Sequence, residues 1–231
     1  MKRFLLLALG LGLAGCASRT PQVLYPSEYT QPVPSVIRTT GLNRAIPPQG
    51  PFQPNAELFV CRMKVSNRPV TDASDRIVNF NPIVTINEVV LAAAPVNDAC
   101  LASGFGPRNG RMHKGIDLFS NPAGTIYSAA PGVILEVSYA SGFGNQVLIE
   151  HGRGVYTRYA HFESFAPALA PGQTVGFGEP LGTMGETGNA TGIHLHFEVL
   201  TGNYNTPKKS WSLKAHDALA LPAWAGARSG S

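Results

Sequence analysis

Apolar and polar side chains alternate with a period of two through the middle of this chain, and glycine or proline interrupts the pattern every few residues. In Val133-Ile134-Leu135-Glu136-Val137-Ser138-Tyr139 the odd positions are apolar and the even ones turn polar from Glu136 onward, which predicts a half-buried strand. Residues 141–145 read as a turn and 146–150 as a returning strand, so a hairpin is expected there. Further strands are expected over 155–161 and 194–200. Upstream, Leu58-Phe59-Val60, Ile83-Val84-Thr85-Ile86 and Val89-Val90-Leu91 are rich in strand-forming residues. Residues 214–221 read as one or two helical turns, and 226–231 as a frayed end. The fold class predicted is all-β: a small antiparallel sheet or meander over 101–205, an accessory β-segment over 58–100, and a tail over 206–231.

Composition sharpens this picture. Charged residues make up only 14%, with 25 glycines and 19 prolines, as short strands and tight turns require. Eight prolines fall between Pro21 and Pro54, so residues 16–57 read as an extended tether. Ahead of it, Lys2 and Arg3 precede an apolar run over 4–13 that is too short to span a bilayer, followed by Leu13-Ala14-Gly15-Cys16. That junction resembles a bacterial lipobox, so residues 1–15 are expected to be a signal peptide. Cys16 is then expected to carry lipid that holds the chain at a membrane surface. The net charge of +4 falls to +2 once Lys2 and Arg3 are removed, too mild to indicate a nucleic-acid partner. Cys61 and Cys100 lie in no Cys-x-x-Cys pair, which argues against a thiolate zinc site. In an oxidising periplasm they are candidates for one disulfide, two separate buried thiols being the alternative.

Four of the six histidines fall in three segments: His113-Lys114-Gly115-Ile116-Asp117, Tyr159-Ala160-His161, and His194-Leu195-His196-Phe197-Glu198. On a strand, residues i and i+2 share a face, so His194 and His196 should point together while Leu195 and Phe197 enter the opposite layer. Each segment alone is a weak signal. Together they can furnish three nitrogen or oxygen ligands for a zinc ion with an open fourth position, and leave two imidazoles for proton transfer.

With these motifs, with Ser103-Gly104-Phe105-Gly106-Pro107-Arg108 before them and Gly185-Glu186-Thr187-Gly188 and Thr191-Gly192 between the last two, the chain resembles the lysostaphin-type (LytM-like) zinc metallopeptidases over residues 101–200. Ile193 departs from the proline frequent there. The resemblance implies one zinc per chain held by His113, Asp117 and His196, with His161 and His194 as the catalytic pair. It also implies an endopeptidase that hydrolyses peptide crosslinks between peptidoglycan stem peptides. The runner-up is a catalytically silent envelope protein of the same fold that activates another wall hydrolase. The expected location is the periplasmic face of the outer membrane. His151, at a strand end, reads as structural and His216 as solvated, whereas Tyr159 either faces the groove or packs.

Overall fold

The computed structural model describes residues 51–225 except 109 and 207. The expected signal peptide, Cys16, most of the proline-rich segment and the end from 226 onward therefore lie outside the described residues. The last part of that segment is docked onto the protein: Phe52 packs its ring on Tyr127 and Phe177, and the Asn55 amide donates to the carbonyl of Val96.

The described chain is nearly all β and contains no α-helix. The main sheet holds β1 (Phe59–Val60), β4 (Cys100–Ser103), β7 (Ile116–Phe119), β9 (Gly132–Ala140), β10 (Gly144–Glu150), β11 (Val155–Ala160), β13 (Thr174–Val175), β15 (Leu195–Thr201) and β16 (Lys214–His216). Its order is β1-β4-β7-β15-β11-β10-β9-β13, with β16 on β15. Only β9, β10 and β11 form the expected meander. The late strand β15 inserts between β7 and β11, and this insertion builds the site. β2 (Ile83–Ile86) and β3 (Val89–Ala92) make a separate hairpin, as do β5 (Gly106–Arg108) and β6 (Arg111–His113). A small sheet joins β12 (Phe162–Phe165), β14 (Pro180–Met184) and β8 (Thr125–Tyr127).

Leu58, Leu91, Leu101, Leu118, Ile126 and Phe197 are fully buried in one core, so the 58–100 segment shares its interior with the residues that follow it. β1 runs parallel to β4 over two rungs, and the Cys61–Cys100 disulfide fastens that short pairing. Two local readings are corrected. In β9 it is Ile134 that enters the core while Val133 is exposed. The register opposite Leu148 and Ile149 skips Leu135, and this bulge reverses the in–out parity. Residues 214–216 are a strand, not a helical turn, because β7 covers only the first half of one edge of β15 and β16 fills the rest; a short 3-10 turn follows at Ala218–Ala220.

Candidate metal centre and groove

Asp117 on β7 and His196 on β15 are direct cross-strand partners, so their side chains emerge on one face. The β5–β6 hairpin folds over that face and brings in His113. His113 Nε2, Asp117 Oδ1 and His196 Nδ1 form a triangle with edges of 3.0, 3.0 and 3.1 Å. Ligands about 2.0–2.1 Å from a tetrahedral zinc stand roughly 3.3–3.4 Å apart, so the triangle is tighter by about 0.3 Å along each edge and would open slightly around such an ion.

The outer nitrogens are occupied by the protein. His113 Nδ1 donates to the carbonyl of Gly104 at 2.6 Å, and His196 Nε2 faces Glu198 Oε1 at 3.2 Å. Both inward nitrogens therefore converge on the same point beside Asp117 Oδ1, where a metal ion would take the place of the proton between them. Gly104 is required here, because a Cβ would lie 2.1 Å from the carbonyl oxygen of Asn67. Burial alone would raise the Asp117 carboxyl, but His113 and His196 outweigh it and hold the group well below the usual carboxylate range. Burial likewise opposes charge on His196, yet Asp117 and Glu198 bring it up to about 9. Positive charge is favoured at this point of the fold.

His194 and His161 complete the wall. His194 lies just before β15, with Nε2 3.7 Å from Asp117 Oδ1, and Nδ1 donates to Gly192 O at 2.8 Å. His161 follows β11 with φ +67°, a left-handed backbone that turns its ring out of the strand's alternation and onto this face. Its Nδ1 donates to Thr187 O at 2.7 Å, its amide donates to Phe143 O, and its ring centroid is 4.6 Å from that of His194. The Thr187 loop is pinned in turn, since Thr187 Oγ1 donates to Phe162 O and accepts from the amide of Asn145. Burial pushes the His161 imidazole down to about 4, so it is neutral near pH 7 with its Nε2 lone pair toward the groove. All five residues singled out in the sequence thus stand on one groove of about 910 Å³.

The structure adds residues to which the sequence assigned no role. Arg158 and Glu198 form a buried ion pair at 2.8 Å behind His196, and the Arg158 guanidinium stacks on Phe143 at 4.4 Å. The lone charged residue of the otherwise uncharged, fully buried β11 was the available signal. Trp211, from the 3-10 turn Lys209–Ser212, extends the wall beyond Phe143. Arg108 donates through Nη1 to Ser103 Oγ at 2.9 Å and to Asp117 Oδ2 at 3.3 Å. Tyr159 does not face the groove: it is buried, with Oη accepting from the amide of Ala129. His216 is not a loose tail residue, since its Nε2 lies 2.7 Å from Thr201 Oγ1.

Residues 111–207 match Peptidase family M23. The DD-carboxypeptidase/endopeptidase Mpg of Neisseria meningitidis serogroup B is 45% identical over 90 residues, covering 38% of this chain and 20% of the relative. Peptidoglycan DD-endopeptidase ShyB of Vibrio cholerae is 38% identical over 111 residues, 45% of this chain and 25% of the relative. Among solved structures, a zinc-containing peptidase from Vibrio cholerae aligns at 27% identity with a TM-score of 0.50, over 61% of this chain and 46% of that one. The chain spans only a fifth to a quarter of the length of these curated relatives.

Proposed function

We propose, from the peptidase family M23 domain that residues 111–207 form, that this protein is a zinc-dependent endopeptidase acting on the peptide crosslinks of peptidoglycan. The observation that carries the reading is the donor triangle of His113, Asp117 and His196 with two further imidazoles at its open side. A bound zinc supplies Lewis-acid polarisation of the scissile carbonyl and lowers the pKa of water.

The chain's own residues do the rest. His113 Nε2, Asp117 Oδ1 and His196 Nδ1 would hold the ion, and the Gly104 carbonyl and Glu198 fix both rings so that these nitrogens face the common point. His161 and His194 each commit Nδ1–H to a backbone carbonyl and turn Nε2 to the groove. Between them they take a proton from the attacking water and return one to the leaving amine. The silent-regulator reading is not favoured, because no member of the set is missing or displaced.

The test is incubation of the purified full chain with crosslinked muropeptides, with and without a chelator, followed by mass analysis of the products. Cleavage abolished by the chelator and restored by zinc is expected, and a zinc-loaded chain that leaves crosslinks intact rejects the reading. We further propose that Cys16 is lipidated and holds the protein at the periplasmic face of the outer membrane. Leu-Ala-Gly-Cys supports this. Cys16→Ser is expected to shift the chain to the soluble fraction, and an unchanged membrane fraction rejects the anchor.

A further inference from the structure

The groove is unbalanced in charge. Its lining includes Arg108 and Arg111 but only one acidic residue, Asp117, which the metal triangle uses. Arg108 and Arg111 are direct cross-strand partners in the β5–β6 pair, and Arg111 shares a face with His113 two residues on. Like charges opposite each other weaken a hairpin, so this placement favours an anion between or beside them. Among the described residues no ion pair engages Arg111. Arg108 uses Nη1 on Ser103 and Asp117, and its partly exposed guanidinium still borders the groove. Both arginines precede or open the stretch matched to family M23.

We infer that Arg108 and Arg111 bind a free substrate carboxylate beside the scissile amide, which makes the enzyme selective for crosslinks that carry one. This rests on the endopeptidase reading above. In a direct crosslink between D-alanine and diaminopimelate, the carbon bearing the scissile nitrogen also bears a free carboxylate, two bonds from that nitrogen. A substrate whose carbonyl sits at the metal triangle therefore carries this carboxylate close to Asp117, where Arg108 already reaches to 3.3 Å. A guanidinium pairs with a carboxylate through two parallel N–H donors, and a neutral amide or a glycyl bridge offers no equivalent. Arg108 thus contacts both the metal-holding carboxylate and the substrate, and Arg111 adds charge from the neighbouring strand.

The test compares kcat/KM of the zinc-loaded full chain on a direct-crosslinked muropeptide dimer and on the same dimer with that carboxylate amidated. The wild-type chain is expected to prefer the free carboxylate by about 10- to 10²-fold. Arg108→Met and Arg111→Met are expected to collapse the ratio toward one, with Arg108→Lys intermediate, and metal analysis shows whether zinc is retained. If Arg108→Met loses its zinc, Arg111→Met decides on the same ratio, since Arg111 has no ion pair to Asp117 among the described residues. Equal wild-type rates on both dimers overturn the inference and leave the endopeptidase reading standing. Cleavage of neither dimer rejects that underlying reading instead. Equal losses on both substrates in the arginine variants show that they only brace the fold, and overturn it as well.

Discussion

The two faces of β11 and its neighbours carry histidine networks of opposite character. On the core face, His151 Nδ1 donates to the carbonyl of Pro131, and Nε2 lies 2.7 Å from Thr157 Oγ1. Thr157 is 2.9 Å from Tyr159 Oη, which accepts from the amide of Ala129. Every polar atom of that chain finds a protein partner, and the network ends in backbone. On the other face, Tyr156 and Leu200 give way to Arg158 and Glu198, and these to Ala160 and His196. There His196 and His113 each satisfy one nitrogen and aim the other at a common point. An imidazole whose two nitrogens are used separately is structural; a set whose nitrogens converge on one carboxylate oxygen is a site for a metal ligand sphere. Sequence position does not separate the two cases, because both kinds of histidine lie at or near the ends of strands.

The sharpest way to break this contrast is to exchange alanine for one histidine on each face. His196→Ala, or Asp117→Ala, should remove zinc and with it activity, by at least about 10³-fold, while the fold survives. His151→Ala should keep zinc and the activity per folded molecule, and lose stability. Metal analysis and muropeptide cleavage on the same preparations decide, and a zinc-replete His196 variant defeats the proposed ligand set.

A second distinction lies within the groove face. His161→Ala and His194→Ala remove imidazoles that are not in the triangle, so zinc should stay bound while the rate falls by about 10² or more. Zinc loss from His161→Ala as large as from His196→Ala contradicts these roles.

Part of this organisation was legible in the sequence, and the limits were physical. His194-x-His196 announced a shared face because strand alternation is local. His113 and Asp117 came from motif spacing and resemblance, since only the insertion of β15 beside β7 brings them to His196. His161 could not be placed by periodicity, because its positive φ breaks the period it would be read from. The Arg158–Glu198 pair spans 40 residues of sequence and was invisible to local pattern. The bulge at Leu135 misled the reading of β9, because one skipped residue reverses every side chain beyond it.

A smaller effect is expected where the accessory segment joins the core. The Cys61–Cys100 bridge closes a loop with a sequence separation of 39, and β1 has only two rungs on β4 to hold it otherwise. Replacing both cysteines with serine should lower unfolding stability by about 3–4 kcal/mol on the chain-entropy model. Activity per folded molecule should be kept, because the metal triangle lies on other strands. Denaturant titration under oxidising and reducing conditions measures this, and coincident curves argue that the clasp adds nothing.

The smallest effect sharpens the contrast through pH. Burial depresses His151 to about 4, against 6.5 for a free imidazole, even though the hydrogen bond to Pro131 pulls the other way. A histidine depressed in the folded state leaves stability intact above pH 6.5. As pH falls below that value the unfolded chain takes up a proton that the folded chain refuses, so stability declines between about pH 6.5 and 4. The ring is partly solvent-accessible, so the contribution is on the order of 1–2 kcal/mol, less than the full shift implies. His151→Gln offers an amide to the same two partners without a titrating group, and should flatten this part of the stability–pH curve. Zinc content should not change, because the whole network lies on the face away from the groove. Chemical denaturation of wild type and His151→Gln at several pH values from 4 to 7 provides the measurement, with the zinc-free chain used for both so that loss of metal in acid does not enter. Parallel curves would show that His151 titrates freely and that the core-face network is not closed to protons.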